Sequence, residues 1–192
     1  MMKKSGNGGM LENGLNLSND KQILDQAAQT EKWYPVYTHP RAEKKAYQAL
    51  IQKRINAYLP LRKQLKQWSD RKKIIDEPFI KSYLFVKITA QQQAEVLMTK
   101  GIARFLYFSG RVATMPDRQI DDLKLLMASS VEMEVTEENL TPGEKVKIKA
   151  GPLKGMLAEV VEYRSQKQLA LRFEDMGCSI IIHVAAAYIS RT

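Results

Sequence analysis

The stretch RKKIIDEPFIKSYLFVKI, residues 71–88, opens with three cations and continues in a pattern typical of a β-strand. We predict a strand over residues 75–88, in which successive side chains point to opposite faces of a sheet. One face is aliphatic and is formed by Ile80, Leu84, Val86 and Ile88. The other face is aromatic and cationic and is formed by Phe79, Lys81, Tyr83, Phe85 and Lys87. A half-buried strand needs only one apolar face, so the second face needs a partner of its own.

The segments before this stretch alternate between strand and helix patterns. KWYPVYT, residues 32–38, is rich in β-formers and predicts a first strand, in which Pro35 suits a sheet edge or a bulge. RAEKKAYQALIQKR, residues 41–54, has apolar side chains at helical spacing and predicts an amphipathic helix. INAYLPLRKQLKQW, residues 55–68, returns to extended structure, and SDRKK, residues 69–73, is a polar turn.

The segments after it complete the pattern. TAQQQAEVLMTKG predicts a second helix that ends at Gly101. IARFLYFSGRVATM predicts two short strands around a turn at residues 109–110, and PDRQIDDLKLLMASSVEME, residues 116–134, predicts a third helix that begins with Pro116. The order strand, helix, strand, strand, helix, strand, helix is close to a split βαβ plait. This α+β fold has an antiparallel sheet with its helices on one face.

In such a plait the aromatic face lies on the side of the sheet that the helices leave free. The aliphatic residues pack under the helices, and Tyr37 of the first strand joins Tyr83 and Phe85 on the other side. An exposed aromatic patch on a monomer is more often a partner-binding surface than an accident. The alternative is that the amino-terminal arm or the carboxyl-terminal part of the chain covers these rings.

A change of period near residue 143 indicates a second domain. EVTEENLTPG is short, acidic and ends in Pro-Gly, as linkers often do. After it, four or five short segments with period two follow in about 50 residues without a helix pattern, which favours a small all-β barrel. We therefore predict a disordered arm at residues 1–30, a plait domain at 31–131, a linker at 132–142 and a barrel at 143–192.

The charge is distributed in blocks. The formal net charge is +9; residues 32–114 hold 17 Lys and Arg against 5 Asp and Glu, residues 115–144 hold 2 against 8, and residues 145–192 hold 8 against 4. Cationic domains attract nucleic-acid backbones without reading their sequence, although such charge also serves solubility.

Composition also argues against several classes of protein. No apolar run is long enough for a membrane span, and the first residues lack the apolar core of a secretory signal. Cys178 is the only cysteine, which fits a reducing cytoplasm, and His39 and His183 lack metal-ligand spacing, so we expect no metal and no cofactor. No nucleophile elbow, phosphate loop or pair of carboxylates is present, so we do not expect an enzyme.

Three segments in order, KWYPVYTHPRAEKKAYQAL, EPFIKSYLFVKI and GEKVKIKAGPLKGMLAEVVE, resemble the transcription elongation factor NusG. The resemblance is closer to its specialised paralogues of the RfaH type, and it covers nearly all of residues 31–192. It implies a NusG amino-terminal domain followed by a KOW domain, which is an SH3-like barrel. The lysine-rich stretch from Arg62 to Lys73 is similar to the paralogues of capsular polysaccharide operons, the UpxY-like proteins.

The resemblance implies two binding surfaces on the amino-terminal domain. The first would hold the clamp helices of RNA polymerase and comprises Tyr37, Lys45, Glu77, Ile80, Tyr83 and Phe85. The second would face the non-template DNA strand of the transcription bubble and comprises His39, Arg41, Lys44 and Lys45. Phe173 and Ile181 are the candidate contacts of the KOW barrel with a ribosomal protein or with Rho, although both also suit the barrel core.

This chain departs from the family pattern at three places. It has IKSY where the housekeeping factor usually has Phe-Pro-Gly-Tyr, and QQQAE falls near the place of a His-Thr-Thr element of RfaH. Ala158 replaces the second usual glycine of the KOW repeat. The period-two pattern of its last 50 residues favours a barrel over the helical hairpin that RfaH-type proteins adopt.

The expected function is therefore that of an elongation factor that suppresses pausing and termination, as an operon-specific antiterminator. The alternative is a ribosome-associated RNA-binding protein of the KOW type, since KOW barrels also occur in ribosomal proteins. That alternative explains the charge and the barrel, but it does not explain the aromatic face.

Overall fold

In a computed structural model, the described residues are 29–67, 71–138, 141, 143–173 and 176–191. The arm predicted at residues 1–30 lies almost wholly outside them, and the turn predicted at residues 69–73 lies partly outside. The described part of residues 29–131 contains β1 (Lys32–Thr38), α1 (Glu43–Gln52), β2 (Asn56–Tyr58), β3 (Leu61–Gln67), β4 (Lys72–Pro78), β5 (Tyr83–Ile88), a 3₁₀ turn (Ala90–Gln92), α2 (Gln93–Leu97), β6 (Ile102–Phe105), β7 (Tyr107–Phe108), β8 (Arg111–Val112) and α3 (Asp117–Ala128). The remainder contains β9 (Met133–Thr136), β10 (Lys145–Ile148), β11 (Leu157–Tyr163), β12 (Gln166–Phe173), β13 (Cys178–Ile182), a 3₁₀ turn (Ala186–Tyr188) and β14 (Ile189–Arg191).

The amino-terminal sheet is antiparallel, with the strand order β2-β5-β1-β6. Ala46 and Leu50 of α1 and Val96 of α2 pack on one face of it and are fully buried. They cover the aliphatic residues Leu84, Val86 and Ile88, which confirms the predicted side of these residues. The buried residues of α3 belong to the cluster on the other side of the sheet, so the prediction that all helices share one face was wrong. Gly101 follows α2 with φ +95°, a conformation that suits glycine, and an added β-carbon there would lie 3.1 Å from that of Ala46.

The strand predicted at residues 75–88 is two strands. β4 ends at Pro78, and residues 79–82 form bends and a turn before β5 begins at Tyr83. Ser82 has φ +61°, and its N–H donates to Oε1 of the buried Glu43 at 2.8 Å, which fixes this turn against the start of α1. Because the turn interrupts the alternation, Ile80 packs with the aromatic residues instead of under the helices. The predicted face of Ile80 was wrong.

Pro35 lies in a central strand and not at a sheet edge. β1 pairs with β5 along its length, and Pro35 is opposite Phe85. The Pro35 carbonyl accepts from the Leu106 N–H at 3.3 Å, so that side of the residue faces the point where β6 has ended. Because β6 has ended at this point, no residue of β6 requires a hydrogen bond from the backbone nitrogen of residue 35. The missing N–H of proline therefore costs no hydrogen bond between strands. The bulge of β1 lies at Tyr37–Thr38.

The third helix is shorter than predicted, and a strand follows it. α3 ends at Ala128, where the hydroxyl of Ser129 donates to the Leu126 carbonyl at 2.8 Å. Residues 133–136, at the start of the predicted linker, form β9, which pairs with β13 along four residue pairs.

The carboxyl-terminal sheet is antiparallel, with the order β14-β10-β11-β12-β13-β9. Its strands from β10 onward match the predicted segments and are compatible with a KOW barrel. Gly143 lies against β11 so closely that an added β-carbon would be 1.6 Å from the Val160 carbonyl oxygen. Among the described residues from 143 to 191 no α-helix occurs, as the period-two pattern predicts.

Candidate partner-binding face

Five rings converge on the side of the amino-terminal sheet opposite α1 and α2, where α3 also packs. The strand register places Tyr37 opposite Tyr83 and Phe85 opposite Tyr58, so these side chains share one face. Trp33 lies on the same face, opposite Lys87. We call this surface the aromatic face; it comprises Trp33, Tyr37, Tyr58, Tyr83 and Phe85.

The centre of the aromatic face is a pair of tyrosines. The ring centroids of Tyr37 and Tyr83 are 4.3 Å apart, and the Tyr83 hydroxyl donates to the Tyr37 hydroxyl at 2.5 Å. The guanidinium of Arg104 lies over the Tyr37 ring at 4.5 Å from its centroid. Burial and the bond to Tyr37 raise the pKa of Tyr83, and burial raises the pKa of Tyr58 to about 12. Both hydroxyls are therefore protonated at neutral pH.

The Trp33 end of the face is ringed by charges. The indole N–H of Trp33 donates to Oδ1 of Asp117 at 2.9 Å, and Lys87 Nζ donates to the same oxygen at 2.8 Å. The bond from Lys87 lowers the pKa of Asp117. Lys124 Nζ lies 5.5 Å from the Trp33 ring centroid and 5.8 Å from that of Tyr58. Cations around aromatic rings give this end a polar rim.

The carboxyl-terminal sheet and α3 together cover the aromatic face. Tyr83 is 6% exposed and Phe85 is 0% exposed, and both belong to one apolar cluster with Met133, Met176 and other residues of that sheet. The expectation of an uncovered face was wrong, and the alternative of cover by the small barrel describes the structure. The reason is contact between segments distant in sequence, which alternation along one strand does not reveal.

Three polar contacts mark the seam between the two sheets. The Tyr83 hydroxyl lies 3.5 Å from the Met176 carbonyl oxygen. Arg62 of β3 donates to the Met133 carbonyl at 3.0 Å, and Arg118 of α3 donates to the Gly155 carbonyl at 3.3 Å. An open groove of about 1220 Å³ runs along the seam between the β3–β4 hairpin and β9. The contact between the two sheets is thus an interface with a solvent-accessible margin.

Cys178 lies at this seam and lines the groove together with Tyr83. Its side chain is buried, and burial raises the pKa of its thiol to about 12. Among the described residues no group of three or more His, Cys, Asp or Glu side chains is arranged to hold a metal ion.

The remaining residues implied for polymerase binding are dispersed. Ile80 is buried in the cluster of the aromatic face, and Tyr37 is half-buried at its edge. Glu77 lies on β4, where Lys66 of β3 donates to its carboxylate. Lys45 is exposed on α1, which packs against the opposite face of the sheet.

The residues implied for DNA binding cluster at the start of α1. His39, Arg41, Lys44 and Lys45 are all exposed. The backbone there is fixed, because the His39 N–H donates to the Gly101 carbonyl at 2.9 Å and the Ala42 N–H donates to the His39 carbonyl at 3.0 Å. The structure therefore groups these side chains on a rigid turn outside the covered face.

The two candidate contacts of the barrel lie in its interior. Phe173 is 3% exposed and Ile181 is 0% exposed. Phe173 belongs to the cluster that covers the aromatic face, whereas Ile181 packs with Val161, Tyr163 and Ala170. Both occupy core positions in this arrangement.

Sequence reasoning missed Trp33, Tyr58 and Met176. Trp33 has the same parity as Tyr37 on β1, so alternation in that strand was a sufficient signal. Tyr58 joins the face through pairing with Phe85, and Met176 joins it through contact across the seam. Neither of these two relations is present in the local pattern.

Comparison with known proteins agrees with the fold. A family model described as "Transcription termination factor nusG" matches residues 31–124. A solved structure entitled "Domain interaction in Thermotoga maritima NusG" is 17% identical, covers 85% of this chain and 98% of its own, and has a TM-score of 0.50. A second, "Crystal Structure of MjSpt4:Spt5 complex conformation A", is 17% identical, covers 83% and 97%, and has a TM-score of 0.28.

Residues 31–124 are thus similar to the family of that description. The first solved structure supports the two-part fold, a plait followed by a β-rich unit. Among the described residues, no helix is both long enough and apolar enough to cross a membrane.

Proposed function

We propose that this chain is a transcription elongation factor that binds RNA polymerase through the aromatic face. The observation that supports this is the convergence of five rings on one side of the sheet, covered by α3 and by a second sheet whose first strand, β9, begins five residues after α3 ends. Burying each ring against a partner would contribute about 1.5–3 kcal/mol. The clamp helices of the polymerase are the partner that the NusG-family domain suggests.

Binding at this face requires the carboxyl-terminal sheet to leave it. The seam has the polar contacts described above and an open groove, so separation exposes Tyr37, Tyr83 and Phe85 without breaking either sheet, because β9 leaves together with β13. A partner then binds only the open population, and its apparent affinity falls in proportion to that fraction.

The basic turn at the start of α1 supports contact with the non-template DNA strand. Its exposed cations suit the phosphates of a single strand, and they remain accessible in the closed arrangement. Replacement of Arg41 and Lys44 by Ala should weaken DNA-dependent recruitment and reduce its salt dependence. An unchanged salt dependence would remove DNA contact from the proposal.

The effect on transcription follows from the state that the factor prefers. A ligand that binds the closed polymerase clamp more tightly than the open one shifts the equilibrium away from pausing and termination. We assign this effect to a restricted set of polysaccharide-type operons, in the cytoplasm, with a ribosomal protein or Rho as partners of the freed barrel. The chain is not an enzyme in this proposal.

Co-purification of RNA polymerase with the full chain, after nuclease treatment, tests the face. Tyr83→Ala with Phe85→Ala should abolish polymerase binding. Tyr107→Ala with Phe108→Ala is the matched control, because it removes the same two ring types from an exposed hairpin at 65% and 49% exposure. Circular dichroism must show all variants folded. Polymerase binding that survives the first pair would contradict the assignment.

A variant in the carboxyl-terminal sheet distinguishes loss of the aromatic face from loss of the sheet that covers it. Met176→Lys places a charge in the cluster over the rings and leaves the face intact, so it should increase polymerase binding. Reduced binding would indicate that polymerase uses the closed arrangement. Retention of ribosomal RNA alone would favour the ribosome-associated alternative.

A further inference from the structure

The β3–β4 hairpin is a two-stranded ribbon that the proposed function leaves unused. Its seven residue pairs run from Leu61 opposite Pro78 to Gln67 opposite Lys72, and every residue of β3 is exposed. At about 3.3 Å per residue the ribbon is roughly 23 Å long. In the strand order of the described residues it forms a sheet of its own.

The ribbon is strongly cationic. Its described residues, 61–67 and 71–78, hold six Lys and Arg against two carboxylates. Arg62 donates to the Met133 carbonyl at the base, and Lys66 pairs with Glu77. Arg71, Lys72 and Lys73 lie together at the far end and are all exposed.

The cations project from both faces of the ribbon. Residues opposite each other in an antiparallel pair share a face, so Lys66 and Lys73 lie on one face. Lys63 and Lys72 lie on the other face. Between these two is Leu65, 61% exposed, directly opposite Ile74, 65% exposed. Charge on a free edge would by itself discourage strand pairing, but an exposed aliphatic pair would favour it. The combination therefore indicates a bound partner.

We propose that this ribbon binds the major groove of B-form duplex DNA. That groove is about 12 Å wide and admits a two-stranded β-ribbon, and phosphates flank it on both sides. The face that carries Leu65 and Ile74 then enters the groove, where this pair meets base edges such as thymine methyl groups, and Lys63 and Lys72 on the same face reach the flanking phosphates.

Other nucleic acids fit this geometry less well. The major groove of duplex RNA is deep and narrow and does not admit side chains in this way. Basic surfaces also attract single strands, so the single DNA strand is included as a probe in the test below.

Fluorescence anisotropy with the purified full chain, without polymerase, tests this inference. The probes are a labelled DNA duplex of about 20 base pairs, an RNA duplex of equal length and the single DNA strand, titrated between about 50 and 200 mM salt. The DNA duplex should bind most tightly. Because no polymerase is present, the result is independent of the proposed function.

Lys63→Gln with Lys72→Gln and Lys73→Gln should weaken duplex binding by about tenfold or more. It should also reduce the slope of log K against log salt by about two to three. The matched control is Lys147→Gln with Lys154→Gln and Lys167→Gln, which removes three exposed lysines of the carboxyl-terminal sheet. Leu65→Ser with Ile74→Ser should weaken binding with the salt slope unchanged.

Three results would overturn the inference. Equal losses in the two lysine variants would show a response to net charge alone. Tighter binding of the single strand or of the RNA duplex would exclude the groove geometry. Absence of duplex binding, together with loss of polymerase binding in the ribbon variant, would make the ribbon a protein-binding surface.

Discussion

The two faces of β5 are equally buried, but they are covered by different parts of the chain. Leu84, Val86 and Ile88 lie under α1 and α2, which belong to the same plait. Tyr83 and Phe85 lie in a cluster formed with α3 and with the carboxyl-terminal sheet, whose first strand, β9, begins five residues after α3 ends. Burial alone therefore does not distinguish a permanent core from an interface, whereas the origin of the covering element does.

The two faces also differ in the chemistry of their side chains. The side chains of β5 under the helices are aliphatic and would gain nothing from water. The other face carries tyrosine hydroxyls and an indole N–H, with Arg104 and Lys124 beside the rings. Aromatic side chains with polar groups suit a surface that alternates between cover and exposure. If this contrast holds, substitutions on the two faces should have different consequences.

The largest effect is expected on the helix side. Leu84→Ala should lower the free energy of unfolding by about 3 kcal/mol, because a fully buried leucine leaves a cavity that the sheet and helices cannot close. Urea denaturation followed by circular dichroism measures it. Leu125→Ala, at a 39% exposed site on α3, is the control and should change stability by about 0.5 kcal/mol or less. A loss under about 1 kcal/mol for Leu84→Ala would mean that this face is not a permanent core.

The second-largest effect is expected at alkaline pH, which should lower the free energy of unfolding through Cys178 at the seam. The folded pKa of Cys178 is raised by burial to about 12, above the ordinary value of about 8.5 for an exposed thiol. A raised folded pKa contributes stability that is fully present below pH 8.5 and is lost as pH rises toward 12. Between pH 7.5 and 10 this group alone should cost about 1–2 kcal/mol. The free energy of unfolding from urea titrations at both values measures it.

Cys178→Ala provides the comparison for that prediction. The variant has no thiol to ionise, so its loss of stability between the two pH values should be smaller than that of the unchanged chain. The raised pKa values of Tyr58 and Tyr83 act in the same direction and remain in both proteins. Equal losses would show that Cys178 is hydrated in the folded chain.

Thiol labelling should detect opening of the seam directly. Met176→Lys should raise the rate at which Cys178 reacts with a thiol reagent by about tenfold, which corresponds to about 1.4 kcal/mol of docking free energy. Leu157→Lys, at a 42% exposed site on β11, adds the same charge to the same sheet and should leave the rate unchanged. Equal acceleration in both variants would point to unfolding of that sheet and not to separation at the seam.

The elements of the fold were largely predictable, because each carries its own period. Alternation identified β1, β5 and the strands from β10 onward, and helical spacing identified α1 and α3. The local pattern failed where contact with a residue or strand distant in sequence decided the outcome. Ser82 at φ +61°, held by Glu43, ends the alternation in the middle of the quoted stretch, and β9 is stabilised by pairing with β13.

For the candidate site, the sequence predicted only the residues that lie on β1 and β5. The sequence indicated an aromatic face with Tyr37, Tyr83 and Phe85, and cross-strand register supplies Tyr58. Its cover depends on contacts such as that of Tyr83 with Met176, 93 residues apart, for which periodicity holds no information. The sequence predicted an aromatic face on the plait and a separate barrel, and whether the two meet depends on complementarity in three dimensions.

The smallest expected effect tests the polar contacts of the seam. Arg118→Ala removes the bond to the Gly155 carbonyl, whose 3.3 Å length and exposed setting make it worth about 0.5 kcal/mol, so labelling of Cys178 should accelerate by about twofold. Arg191→Ala is the matched control, because Arg191 is exposed and pairs with Glu144 away from α3. That substitution should leave the labelling rate unchanged. An effect of tenfold for Arg118→Ala would mean that the polar rim holds the cover in place, and the aromatic cluster would then be a weaker contact than its burial suggests.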